Sequence, residues 1–408
     1  MNKAIKMISI LWERRRSKLK RSWEKLLFNQ SIHKGTIKAH DRIIADAEMA
    51  LKNRTDYETN EAHLESRDPL VRQGYELKKK TELHFKNLYA NKTTERILIH
   101  VPAPDYSPAG YSLFTNLAES LVFIGIHTRI LGWDENVQEA LENFKPTVLL
   151  SSDNESYLRR IDWKEIAKYK KTNRLKVGLT AALAEYDSTP LAGRLDWAKK
   201  HHIDFFYSFR DEGYVSKRKE YKPFFEAGYK ILFLPFGANI LLYYPVAGIS
   251  RDIDFVLIAS RKREHISYMK DIAKSNAGFI DGPGWKHVPN FQFNRERDRY
   301  IYARAKVGLN VHLPEQLDWA CEVNERTYQL AACGVPQLID HPKLIDKIFS
   351  KGALFVADTP EQYTSLFKEI LSKPNLAQER ALLAQKEVFD RHTTFHRAES
   401  FIRQLAEL

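Results

Sequence analysis

From residue 96 onward the chain alternates short, β-branched apolar runs with helical patterns, and it does so in two successive series. A run that is apolar at every position, and not at every second one, belongs to a strand covered on both faces. Such strands sit in parallel sheets flanked by helices. The first series opens with RILIHV (96–101), then PAPDYSPAGYS, a helical pattern over 113–123 and HTRIL. Strands are expected at 147–151, 176–179, 204–208 and 230–234, with helices at 163–169 and 191–200 between them. LPFGANILLYYPV (234–246) crowds Pro, Gly, Asn and Pro together and reads as a connection between domains. The second series comprises DIDFVLIAS (252–260), AGFIDGPGW (277–285), VGLNVH (307–312), PQLID (336–340) and ALFVA (353–357). Two consecutive α/β sheets of similar size predict two Rossmann-like lobes facing one another across a cleft. The expected division is a helical extension over 1–90, a first lobe over 91–240 and a second over 241–408.

A length of 408 residues suits two or three domains, and 43% hydrophobic residues supply their cores. Cys321 and Cys333 show no Cys-x-x-Cys and no histidine at ligand spacing, so neither a disulfide framework nor a zinc site is expected. The net charge of +12 is concentrated at the start, where residues 1–30 hold nine Lys or Arg against Glu13 and Glu24. There Ile5, Ile8, Trp12, Leu19, Trp23 and Leu26 share one helical stripe. A basic amphipathic helix of this kind either lies on an anionic membrane surface or packs on protein, including a second copy of the chain. No apolar run approaches the roughly 18 residues of a membrane span, and the short stretch 7–12 does not make a signal peptide. A cytoplasmic location, peripheral to the inner face of the membrane, is the expectation.

Ligands of an open parallel sheet bind beyond the carboxyl ends of its strands, where helix N-termini point unpaired amides. Three loops of the second lobe carry suitable groups there. Ser260, Arg261, Lys262 and Arg263 can hold a diphosphate. Gly284 permits close backbone approach beside Trp285, whose indole can stack on a base. Asn310 and His312 close a strand that leads into CEVNERTYQLAACG, where Glu325, Arg326, Thr327 and Gln329 lie near a helix start. Each group alone is equally a surface pair, cap or turn residue; their coincidence in three loops points to a site for a nucleoside diphosphate. In the first lobe the loops after the strands offer Asp105, Asp153, Glu155 and Glu185, of which Asp105 and Asp153 are the candidates for a base or a substrate ligand. Gly110 and Tyr111, in a glycine turn ahead of a helix, are candidates for binding the same substrate, which is the acceptor if the family resemblance of the second lobe holds.

The run from DIDFVLIASRKREH through GPGW, GLNVH and NERTYQLAACGVPQLID resembles the glycosyltransferase family that includes the spore-maturation CgeB and YkvP proteins. It is more distantly similar to group 1 glycosyltransferases of GT-B fold. The resemblance extends over about residues 96–403 and is strongest over 252–338. It implies a nucleotide-sugar donor in the second lobe, an acceptor in the first, no metal and no resident cofactor. Group 1 enzymes carry a glutamate on the donor ribose where this chain has Gln329. Either Glu325 or Glu322 compensates, or donor binding is weakened. Asp252-Ile253-Asp254 matches the metal-holding Asp-x-Asp of another fold, but it precedes its strand and so lies away from the expected cleft.

The leading expectation is sugar transfer to a cell-envelope, spore or other surface acceptor, whether glycan, protein or lipid. A sugar-nucleotide 2-epimerase or a non-catalytic scaffold would have the same architecture. The basic arm also leaves a nucleic-acid acceptor open.

Overall fold

A computed structural model describes residues 32–181 and 191–408. The basic arm 1–30 and Glu185 lie outside the described residues. The first lobe is a six-stranded parallel sheet of β1 (Arg96–His100), β2 (His127–Leu131), β3 (Val148–Ser151), β4 (Lys176–Thr180), β5 (Phe205–Ser208) and β6 (Ile231–Phe233), in the order β2-β1-β3-β4-β5-β6. The second contains β7 (Ile253–Ile258), β8 (Gly278–Asp281), β9 (Ala305–Asn310), β10 (Gln337–Asp340) and β11 (Phe355–Ala357), in the order β11-β10-β9-β7-β8. This is the expected two-lobed, Rossmann-like architecture. Every pairing is parallel, and central residues such as Ile97, Leu98, Val148, Leu149, Phe255 and Val256 are fully buried. The strand order reverses between β1 and β3 and between β7 and β9. These are the switch points at which crevices open in sheets of this kind.

The helix Pro108–Phe123 begins earlier than its apolar pattern suggests. Ser107 caps it by accepting from the Gly110 amide at 3.2 Å, and Pro108 occupies the first turn. Its polar Ser112, Asn116 and Ser120 are buried, which hid the periodicity.

The extension is built into the second lobe. Helix Lys34–Lys52 lies along edge strand β8 and against helix Arg295–Ala303, closing an edge that would otherwise be open. Thr36 Oγ1 accepts from the Gly278 amide at 3.1 Å, and the His33 amide donates to the Ala273 carbonyl at 2.7 Å. Helix Pro69–Phe85 packs on Pro374–Arg391, with Gly74 set against Gln385 and Pro245. Helix Thr394–Ala406, expected with the second lobe, crosses to the first. Phe395 stacks on Phe123 at 4.3 Å between ring centroids, and Ser120 donates to Thr394 at 2.6 Å. Among the described residues no helix is long and apolar enough to cross a membrane.

Candidate functional site

The carboxyl ends of both sheets open onto a cleft of about 710 Å³ between the lobes. The second lobe contributes Ser260, Lys262 and His265 after β7, Gly282 and Pro283 after β8, and Glu322, Asn324, Glu325, Arg326 and Gln329 around the start of helix Glu325–Ala332. The first contributes Gly110, Asp153, Thr180 and Arg210. Asn324 caps the helix, its side-chain oxygen accepting from the Thr327 amide at 3.2 Å. Glu325 and Arg326 of that first turn line the cleft, so the positive end of the helix dipole lies beside it.

Arg326 is anchored before any ligand arrives. Its Nε donates to the Ile258 carbonyl and its Nη1 to Asn310 Oδ1, both at 3.1 Å, and burial pulls the guanidinium pKa below its ordinary value. A half-buried cation oriented by neutral acceptors keeps its attraction for an anion. Lys262 is exposed at the rim, and its amide donates to His265 Nδ1 at 3.2 Å. Burial, followed by the nearby Arg326 and Lys262, lowers His265 to about 3, so the ring stays neutral.

Asn310, His312 and Thr327 stand one layer behind the cleft. Asn310 Nδ2 donates to Thr327 Oγ1 and its Oδ1 accepts from Asn324 Nδ2, both at 2.7 Å. His312 Nδ1 donates to Asp340 at 2.6 Å, which leaves Nε2 to accept from the Asn324 amide at 3.2 Å. These residues hold the helix start in position and do not line the cavity.

Other expected donor residues are not brought into the cleft. Trp285 is 2% exposed, its indole N–H donates to the Ala259 carbonyl at 2.8 Å, and its ring is in the core of the lobe with no face available to a base. Gly284, at φ +85°, turns the chain beside Arg261. Arg261 sits next to the cavity wall, its guanidinium 6.0 Å from the Trp285 ring centroid, and Arg263 is exposed at the start of its helix. The two carboxylates expected to replace the ribose glutamate line the cleft but are already engaged. Glu325 accepts from Asn116 Nδ2 across the lobes at 2.5 Å; burial pushes it up to about 7 against the opposing effects of Asn116 and Arg295. Glu322 pairs with Arg210 and accepts from Gln316 Nε2 at 2.6 Å. Gln329 lines the cleft.

In the first lobe, Asp153 lines the cleft with both oxygens occupied, one accepting from Thr180 Oγ1 at 2.6 Å and the other pairing with Arg194. Asp105 is exposed in a turn outside the cavity. Gly110 lines it, whereas Tyr111 packs edge-on against Phe293 and under Arg295. Asp252 and Asp254 sit at the opposite end of β7, paired with Arg304 and Lys306.

Sequence reasoning missed Arg210, which follows β5 in the position from which its counterparts in other loops were drawn. It also missed the interlobe network in which Arg295 donates to Asn116 Oδ1 and Glu119 Oε1, each at 2.7 Å, while Asn239 of the connecting segment donates to the same two residues.

Residues 261–403 match a family model described as "Glycosyl transferase-like". No curated protein matches the chain in sequence. Among solved structures it is similar to sucrose-phosphate synthase from Thermosynechococcus elongatus, with TM-score 0.50, 12% identity, and coverage of 76% of this chain and 98% of that one. It is also similar to Anabaena HepE in complex with UDP-glucose, with TM-score 0.52, 11% identity, and coverage of 77% of this chain and all of that one. At such identities the likeness speaks for the fold: the chain has the two-lobed, Rossmann-like GT-B architecture.

Proposed function

We propose that the protein is a nucleotide-sugar-dependent glycosyltransferase of CgeB-like kind that moves a hexosyl group to a surface acceptor without a metal ion. The observation that carries the reading is the convergence of Lys262, Arg326 and the capped start of helix Glu325–Ala332 on one wall of an interlobe cleft. This set suits a diphosphate: fixed donors and positive charge stabilise the negative charge that grows on the leaving group as its bond to the sugar breaks. The opposite wall holds Asp153, whose carboxylate is fixed by Thr180 and Arg194 and can orient the acceptor hydroxyl that attacks. The Asp-x-Asp pair is committed to Arg304 and Lys306 away from the cleft, so charge neutralisation falls to the cations named above.

HepE was solved with UDP-glucose, which makes UDP species the first probes. Calorimetry with UDP, GDP, ADP and dTDP should find saturable binding of at least one, and Lys262→Ala should weaken it about five- to tenfold while leaving thermal stability unchanged. If none of the four binds, the transferase reading fails.

A further inference from the structure

Outside the cleft, beyond the carboxyl ends of β1 to β3, the first lobe carries a stack of rings. Tyr106 lies on Trp133 with 4.9 Å between centroids and 22° between planes; Trp133 in turn lies on His100 at 5.2 Å and 14°. Tyr157 meets Trp133 edge-on at 4.9 Å. The inner rings are core residues, His100, Trp133 and Tyr157 all being buried. Tyr106 is different, because 51% of it is exposed although its loop is well tied. Its amide donates to Asp105 Oδ1 at 3.0 Å, and the next residue, Ser107, caps helix Pro108–Phe123. The stack therefore ends in a flat aromatic face held toward solvent, and it is continuous with the cleft through Tyr157 and Pro108, both of which line the cavity.

Polar groups surround this face. Asp105 is exposed beside it, and Asp134 pairs with Arg160, whose guanidinium lies 5.2 Å from the Trp133 ring centroid. An aromatic plane edged by carboxylates and a guanidinium matches a sugar ring. The polarised C–H bonds of one sugar face lie on the π surface, while hydroxyls donate to carboxylates and accept from arginine. A nucleobase would stack equally well, but its phosphates would meet the carboxylates of Asp105 and Asp134, and Arg160 beside the stack has its charge neutralised by Asp134 while keeping N–H donors for a neutral hydroxyl. We infer that Tyr106 is the stacking platform for a neutral saccharide, and, on the transferase reading above, that this saccharide is the acceptor.

The test uses the full chain and its Tyr106→Ala and Tyr106→Phe variants, with maltohexaose, cellohexaose, chitohexaose and a duplex DNA oligonucleotide as probes. Binding is read by saturation-transfer NMR and affinity titration, and binding of UDP, GDP, ADP and dTDP is measured in parallel by calorimetry. At least one oligosaccharide should bind through its ring C–H protons. Tyr106→Ala should weaken it about tenfold, Tyr106→Phe less than about twofold, and UDP affinity should be equal in all three proteins. Absence of binding to all three oligosaccharides, equal saccharide affinity in Tyr106→Ala, or DNA binding that depends on Tyr106 overturns the proposal. Saccharide binding through Tyr106 in a protein that takes no nucleoside diphosphate upholds the platform and refutes the transferase reading.

Discussion

Replacing Asn310 by alanine tests whether the frame behind the cleft is what makes Arg326 an anion ligand. The amide of Asn310 serves three partners at once: it donates to Thr327 Oγ1 and accepts from Asn324 Nδ2 and Arg326 Nη1. The residue is fully buried, so water does not readily replace what is removed. Two neutral hydrogen bonds at about 0.5–1.5 kcal/mol each and one to a charged group at about 1.5–3 kcal/mol put the loss at about 2.5–6 kcal/mol. The second consequence concerns the ligand. Arg326 retains only its bond to the Ile258 carbonyl, and the cap residue Asn324 loses a support, so UDP affinity should fall about tenfold or more even at temperatures where the variant is folded. Urea denaturation monitored by circular dichroism gives the first quantity and calorimetry with UDP the second. A destabilisation below about 1 kcal/mol together with unchanged UDP affinity would refute the reasoning, because the frame would then neither support the lobe nor orient the cation.

Two further outcomes follow from single positions. Glu325 is pushed from 4.5 up to about 7, chiefly by burial, so between those values the folded chain holds a proton that the unfolded chain has released. Stability should therefore decline as pH rises through that window; Glu325→Gln should reduce the decline measured by denaturation at about pH 5 and about pH 8. Part of the slope should persist in the variant, since Asp298, also raised to about 7 foremost by burial, titrates in the same range. Gly282 has φ +129°, and a Cβ built there would lie 2.3 Å from the Ala259 carbonyl oxygen, so Gly282→Ala should cost at least about 2–3 kcal/mol and distort the cleft wall. A variant with unchanged melting temperature and UDP affinity would contradict that placement.

The sheets were legible because parallel strands buried on both faces write their burial into the chain as unbroken apolar runs, as in RILIHV and DFVLI. The rule that ligands bind beyond strand carboxyl ends was enough to bring Ser260, Lys262, Glu325, Arg326, Gln329, Gly110 and Asp153 to one cavity. What the rule lacks is depth. Asn310, His312 and Thr327 occupy the right loops but face inward, because a helix start needs buried partners as much as a ligand needs exposed ones. Trp285 shows the same ambiguity: an indole flanked by glycine turns reads alike whether it is presented to a base or turned into the core, and here the Ala259 carbonyl draws it inward. The interlobe network was beyond reach for a different reason. Asn116 and Glu325 are 209 positions apart, and no local pattern signals that a buried amide will find a buried acid at that distance. Helix Lys34–Lys52 falls in the stretch expected as a helical extension; its small buried face, with Ile43 and Ala47 in the core, is what seats it on the second lobe.

The crossing of helix Thr394–Ala406 onto the opposite lobe sets an order on biosynthesis. Residues 96–233 leave the ribosome long before that helix does, so the seam on helix Pro108–Phe123 that Phe395 will cover stays wet and adhesive through synthesis of the entire second sheet. A chain cut short before residue 394 would carry that unprotected seam permanently and should aggregate more readily than the full chain.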